Sequence, residues 1–449
     1  MNKLFKLYNG RVLNYFFPLA DFLHIYQLEE YDNKSFLLWS LPRIYKRNFQ
    51  KVGELTWTPK AKLLYLLGLF LIILSSLLIF FIGRDFRLFL LTLAINFLIT
   101  PFWLVIAKTL SLPFESLLKS RSLERAKKKL SGFTGLKVIA VCGSVGKTTT
   151  RHFLTELLKT KYKTFTTSGN INTELGIANQ INSRMPRDTE VFVVELGEYR
   201  PGDLLKICKL ASPEVLVYTK IGSQHLEKFG TQAAINEEFL SLKNLRSVKQ
   251  IFIAKNNVIS EKLKGVNVKT IGPGSTTNLS KLKAKSFHEN LELAAAVAQY
   301  VGIGDSVIKR VIPQLAPLPQ RLAVTVQNGI TIIDDSYNIS LESASNALDF
   351  VRSHKGRKIL ITGGIVDQGE KSEEVNKKFG TMAAKIFDVI LVAKNNYFNA
   401  VTEGINDAKT ETKIIESASP AHTTSLLSQI LKNGDVVLVQ NELPEVYWH

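Results

Sequence analysis

Only two of the 449 residues are cysteine, Cys142 and Cys208. That scarcity excludes a disulfide-framed secreted fold. One thiol falls in a buried-strand pattern and the other in a helical one, so both are expected free, in a reducing compartment. Negative charge is also in short supply: 39 Asp and Glu stand against 57 Lys and Arg, a formal net charge of +18. Such an excess attracts nucleic acid, anionic lipid or anionic substrates. The basic residues lack the interleaved aromatics of a nucleic-acid-binding surface, so no nucleic acid is expected as a partner. Their dense cluster, "KSRSLERAKKK" from Lys119 to Lys129, follows an apolar region. Anionic headgroups there attract a basic segment by about 1 kcal/mol per charge, which makes membrane lipids an expected partner.

Charge is missing altogether from two long stretches, "LLYLLGLFLIILSSLLIFFI" (Leu63–Ile82) and "LFLLTLAINFLITPFWLVIA" (Leu88–Ala107). Each is long enough as a helix to cross the ~30 Å hydrocarbon layer. Pro101 is expected to kink the second. The short "GRDFR" linker makes the pair a hairpin with both ends on one side, and Lys60, Lys62 and the Lys119 cluster put those ends in the cytoplasm. The sequence therefore predicts a two-span cell-membrane protein with its catalytic domains cytoplasmic. Residues 1–56 form a cytoplasmic or interfacial segment, 57–112 the hairpin and 113–135 a basic juxtamembrane linker. A domain over 136–312 and another over 313–449 complete the chain. The aromatic-rich start, "LNYFFPLADFLHIYQLEEY", fits either a surface-lying segment or a small folded subdomain.

Two residues are missing from an otherwise familiar loop. In "VIAVCGSVGKTTTRHF" only Ser144 and Val145 separate Gly143 from Gly146, where the common P-loop has four residues between its glycines. Apolar runs alternating with helical stretches mark a parallel α/β sheet, and "LKVIAVCG" reads as a buried strand. Gly143 and Gly146 let the backbone approach a phosphate, together with Ser144 and Thr149, and the following helix offers its N-terminal dipole. Lys147 would reach the outer phosphates and Thr148 would ligate Mg²⁺. "TEVFVVELG" delivers Glu195 to a strand end, where an acid can hold Mg²⁺ beside such a loop. "VLVYTKIGSQHLEKFG" carries His225 on a loop after another strand, and "SGNINTELG" carries Asn172 on a polar loop that faces substrate or caps a helix. Further strands are predicted at Ile330–Asp334, Lys358–Thr362, Val389–Val392 and Asp435–Val439, a second doubly wound unit.

In order and spacing, Gly143-Ser-Val-Gly-Lys-Thr-Thr, "GNINTELG", "ELGEYRPGDL", "IGSQHLEKFG", "QRLAV" and "GITIIDDSYNIS" resemble the Mur ligase family, from about Leu136 to near the C-terminus. The likeness is strongest to its D-alanyl-D-alanine-adding branch. The resemblance implies an ATP- and Mg²⁺-dependent carboxylate–amine ligase. ATP phosphorylates a carboxylate, an amine attacks the acyl phosphate, and an amide, ADP and phosphate result. It also implies a central ATPase domain and a Rossmann-like C-terminal domain whose closure completes the site. The expected partners are a muramoyl-peptide or other carboxylate, nucleotide- or lipid-linked, and an amino acid or dipeptide amine. By resemblance Lys147, His225 and Arg321 are catalytic, and His225 holds a second Mg²⁺. Asn290 contacts adenine and Arg321 a phosphate. Asp335 meets the ribose, with Ser336, Tyr337 and Asn338 in the same turn; Asn172, Ser336 and Asn338 face substrate.

Four departures bear on the substrate. The family's N-terminal nucleotide-binding domain is not recognisable in residues 1–112. Where many members carry a carbamylated lysine, Phe239 falls, and Glu238 or Glu237 is expected to supply the carboxylate, with Glu238 taken as a metal ligand. "TGGIVDQGEKS" replaces the usual Gly-Asp-Met-x-Glu-Leu-Gly, and the ending lacks the usual Lys-Gly-Ser. These departures keep two other readings open: a ligase that polymerises an amino acid, and an ATP-dependent scaffold without ligase activity.

Overall fold

The computed structural model describes residues 18–29, 31–44, 55–222, 226–255, 257–263, 267–272, 285–337, 339–366 and 368–441. They fall into two compact units that divide after Ser120.

The first unit is helical. Helices Leu19–Leu28 and Asn33–Ser40 are short, the second started by Asp32 accepting from the Ser35 amide at 2.8 Å. Leu19, Phe22, Leu23, Tyr26 and Phe36 form one buried cluster with Ala61, Leu64, Leu104 and Ala107. Helix Pro59–Gly83 opens on a Thr58 cap with proline at its first position, where no amide hydrogen is needed. It leaves Leu66, Phe70, Leu78, Phe81 and Ile82 exposed. Among the described residues it is the one single helix long and apolar enough to cross a membrane, and the bent pair Phe86–Leu98 and Thr100–Ser131 would count as a second span if taken together.

The second apolar run differs from the expected single kinked helix. Helix Phe86–Leu98 ends at Ile99, and helix Thr100–Ser131 departs at 79°. The break precedes Pro101 because the proline sits in the first turn of the new helix, which tolerates it, rather than inside the old one. Across this region Asn96 donates to Ser75 (2.8 Å) and Ser76 (3.0 Å) and accepts from Trp103 (3.3 Å), a polar clasp between apolar helices.

The second unit holds two six-stranded sheets. In the first, β1 (Lys137–Cys142), β2 (Thr164–Thr166), β3 (Val191–Glu195), β4 (Val215–Tyr218), β5 (Gln250–Ala254) and β6 (Val268–Ile271) run parallel in the order β2-β3-β1-β4-β5-β6. Strands β3 and β4 are buried along their whole length, which is why they read as unbroken apolar runs. Ile139 and Val141 face one core, Ala140 and Cys142 the other. Cys142 and Cys208 are both buried and free. Strand order reverses at β1, and a crevice opens at the carboxyl ends there.

The second sheet combines β7 (Ala323–Gln327), β8 (Ile330–Asp335), β9 (Lys358–Thr362), β10 (Val389–Ala393), β11 (Lys413–Ser417) and β12 (Val436–Gln440) in the order β11-β10-β9-β12-β8-β7. Only β7 runs antiparallel, joined to β8 by Asn328 (φ 50°) and Gly329 (φ 72°). That pair has the left-handed geometry of a tight hairpin turn.

Candidate active site

The loop after β1 bends sharply. Gly143 has φ 129°, and a Cβ there would lie 2.2 Å from the Thr219 hydroxyl. The Ser144 and Val145 amides donate to the Lys220 carbonyl at 2.9 and 3.0 Å, so the shortened loop is pinned to the end of β4. Helix Lys147–Leu158 starts immediately, with Gly146 before it at φ 87°. The Thr150 amide, on the Gly146 carbonyl at 2.9 Å, closes the first intrahelical bond. The amides of Lys147, Thr148 and Thr149 are thus presented at a helix N-terminus, the arrangement that binds phosphate.

A cleft lies over this terminus, lined by Ser144, Gly146, Lys147, Thr148 and Thr149 from the loop and helix. Asn172, Glu195 and Glu198 form another wall, while Asn290, Arg321, Asp335 and Tyr337 complete it. Its empty space, about 920 Å³, includes open solvent at the mouth. Asn290 reaches it from helix Lys285–Val301; a Cβ on Gly146 would fall 2.3 Å from its Oδ1. Gly146→Ala therefore combines left-handed strain with a clash. We expect ADP affinity to drop more than tenfold and melting temperature to fall, by a cost of about 1–3 kcal/mol; unchanged titration and melting curves would contradict this packing.

The electrostatics are paired but not saturated. Lys147 Nζ contacts Glu198 Oε1 at 2.9 Å, both side chains at least nine-tenths buried, and also bonds the Gly143 carbonyl. Glu195 Oε1 accepts from Asn172 at 3.2 Å, and its Oε2 faces Arg151 Nε at 3.6 Å. Arg151 is anchored by the Thr167 and Gly169 carbonyls at 2.6 and 2.8 Å. The Oε2 atoms of Glu195 and Glu198 have no hydrogen-bond partner although buried. Two orphaned carboxylate oxygens and the Thr148 hydroxyl in one cleft make a hard-oxygen donor set, which fits Mg²⁺. Burial pushes the Glu198 carboxyl up, against the pull of Lys147.

Arg321 lies 3.9 Å from the centroid of the Tyr337 ring, a cation–π contact. Burial lowers its guanidinium from the ordinary value. It is flanked by Gln320 (φ 59°) and Leu322 (φ 53°), two non-glycine residues in left-handed conformation. Such strain in the segment entering the last domain suits a hinge. Asp335 is pushed up to about 7, chiefly by burial, against the Gln440 hydrogen bond (3.2 Å) and the Arg321 charge, with Asp334 adding to the rise. A carboxyl held higher in the folded than in the unfolded chain lends stability at low pH that fades as pH rises through the folded value. Asp335→Asn should flatten the decline in melting temperature between about pH 4 and about pH 7. A slope identical to that of the unmodified protein would contradict it.

Of the residues singled out in the sequence, Ser144, Gly146, Lys147, Thr148, Thr149, Asn172, Glu195, Asn290, Arg321, Asp335 and Tyr337 line the one cleft, with Gly143 at its base. Ser336 is buried in the turn with its amide on Asp334 (3.1 Å) and is not among the lining residues. His225 and Asn338 lie outside the described residues. Glu238 is a correction: its two oxygens accept from the Gly202 and Leu204 amides at 2.7 and 3.0 Å. It caps helix Asp203–Ala211, whose first-turn amides need acceptors, and does not line the cleft. Glu237 is exposed and pairs with Lys262 at 3.7 Å. A carboxylate not singled out in the sequence, Glu198, lines the cleft beside Glu195, which Arg151 faces at 3.6 Å. Arg151 follows Lys147 by one helical turn, a spacing that could have flagged it.

Comparison with known proteins decides the family. Residues 141–305 match the Mur ligase middle domain, and 320–441 match the Mur ligase, glutamate ligase domain. The chain belongs to the Mur ligase family. Mur ligases of this kind are ADP-forming acid–amino-acid ligases, and the chain is an enzyme of that class. It is 26% identical over 340 residues to the UDP-N-acetylmuramoyl-tripeptide–D-alanyl-D-alanine ligase of Bacillus subtilis, covering 68% of this Mur ligase and 72% of the relative. The Escherichia coli enzyme of the same name is 23% identical over 306 residues, covering 60% and 68%. Among solved structures, the MurF ligase of Thermotoga maritima in complex with ADP superposes with TM-score 0.61 at 25% identity, over 72% of this chain and 80% of that one. A MurF of Acinetobacter baumannii shares the fold, with TM-score 0.64 at 20% identity over 72% and 77%.

Proposed function

We propose that this Mur ligase joins a carboxylate to an amine in peptidoglycan-precursor synthesis, as its D-alanyl-D-alanine-adding relatives are named for doing. The convergence of Lys147, Glu195, Arg321 and Asp335 on one cleft carries this reading. Bound ATP supplies the phosphoryl group that activates the carboxylate as an acyl phosphate for the amine. Helix-terminal amides, Lys147 and Arg321 neutralise the phosphates. Asn290 takes the adenine and Asp335 the ribose. Thr148 and Glu195 would hold one Mg²⁺ and His225 a second, which would supply positive charge against that building on the transferring group. Asn172 keeps Glu195 aimed into the cleft, Tyr337 stacks on Arg321 on the nucleotide side, and Asn338 is assigned to nucleotide and substrate.

The two apolar runs anchor the chain in the cell membrane with the catalytic unit in the cytoplasm, where the acceptor is nucleotide- or lipid-linked. Alkaline carbonate extraction should leave the protein in the membrane pellet; release into the supernatant would refute the anchor. Product mass tests the reaction. A muramoyl-tripeptide acceptor should gain one D-alanyl-D-alanine unit. A ladder of masses would establish a polymerising ligase instead, and nucleotide binding with no new product would establish a scaffold.

A further inference from the structure

Glu198 is the acid that the reaction as described leaves without a task. Its side chain is 1% exposed, and the Lys147 ammonium lies 2.9 Å away as its ion-pair partner. Its Oε2 is buried without a hydrogen bond inside the cleft. The neighbouring Glu195 differs: it keeps Arg151 and Asn172 whatever Lys147 does. A phosphate bound at the helix terminus competes with Glu198 for the same ammonium. When the phosphate wins, Glu198 is left as a buried charge, a situation proteins strongly disfavour unless another cation arrives.

We propose that Glu198 is a charge-exchange residue, holding Lys147 in the protein without nucleotide and turning to the divalent cation once nucleotide phosphates take the lysine. Nucleotide and cation are then coupled through one carboxylate, and each raises the affinity for the other by the same factor. Nucleotide without cation binds poorly because it strands Glu198. The role rests on the ATP reading of the cleft, and it concerns positioning of Lys147 rather than contact with the reacting carboxylate.

The test is calorimetric titration of ADP into the intact, detergent-solubilised protein, with Mg²⁺ and then with EDTA. Unmodified protein should lose at least tenfold in affinity in EDTA. Glu198→Gln should bind ADP in EDTA about tenfold more tightly than unmodified protein, so that its Mg²⁺ dependence shrinks. An unchanged dependence in Glu198→Gln overturns the role while leaving the ATP reading intact. No ADP binding by unmodified protein, even with Mg²⁺, overturns both. A second readout needs no variant: amine-directed labelling of Lys147, mapped by peptide mass. ADP with Mg²⁺ should suppress labelling far more than the same ADP concentration in EDTA. Labelling indifferent to Mg²⁺ overturns the exchange.

Discussion

Lys147→Ala is expected to lower ATP-driven phosphate release by about a thousandfold or more, the scale on which single cationic groups act in phosphoryl transfer. Lys147 is the ammonium at the helix terminus, placed where the outer phosphates meet the Lys147–Thr149 amides. The substitution has a second effect. It strands Glu198, whose carboxylate is buried against that ammonium, and removing one partner of a buried pair costs roughly 3–5 kcal/mol. A lower melting temperature should accompany the lost turnover, and adding Glu198→Gln should restore the melting temperature without restoring turnover. Coupled melting and phosphate-release assays on the two variants separate these effects. Turnover within tenfold of the unmodified protein would place the chemistry elsewhere.

Glu195→Gln is the second large effect, an expected loss of about 10²–10³ in kcat. The amide keeps the shape of the carboxylate and can still accept from Asn172, which bonds Oε1 at 3.2 Å. What disappears is the charge toward Mg²⁺ and toward Arg151, 3.6 Å away. Arg151 retains its bonds to the Thr167 and Gly169 carbonyls, so the fold should survive. Activity should recover partly at raised Mg²⁺ concentration, because a weakened ligand set is filled by mass action. A kcat that is unaffected, or a loss indifferent to Mg²⁺, would remove Glu195 from the metal role.

The catalytic unit was legible where local chemistry and local structure agree. Buried parallel strands read as plain apolar runs, so β1, β3, β4 and β8–β10 were visible from Val, Ile and Leu alone. The glycines around Ser144 and Val145 announced a tight turn into a helix, and the turn is there. Short or half-exposed edge strands such as β2, β6 and β11 lack that signature and went unread. Asn328-Gly329 carried a hairpin signal for β7 that was overlooked.

Misreadings arose where a side chain's role depends on distant backbone. Glu238 looked available as a ligand, yet the Gly202 and Leu204 amides, more than thirty residues away, claim both oxygens. Glu198 was not singled out at all, because nothing local to it announces the Lys147 ammonium 2.9 Å away. Pro101 was read as a kink inside a helix, whereas the break came at Ile99 and placed the proline in a first turn.

The most direct measurement is phosphate release by the detergent-purified full chain, given ATP, Mg²⁺, UDP-muramoyl-tripeptide and D-alanyl-D-alanine together and singly, with Lys147→Ala as blank. Release that needs both substrates and vanishes in the blank is the predicted result. Release at the same rate without either substrate, or none above the blank with both, would contradict a ligase of this specificity.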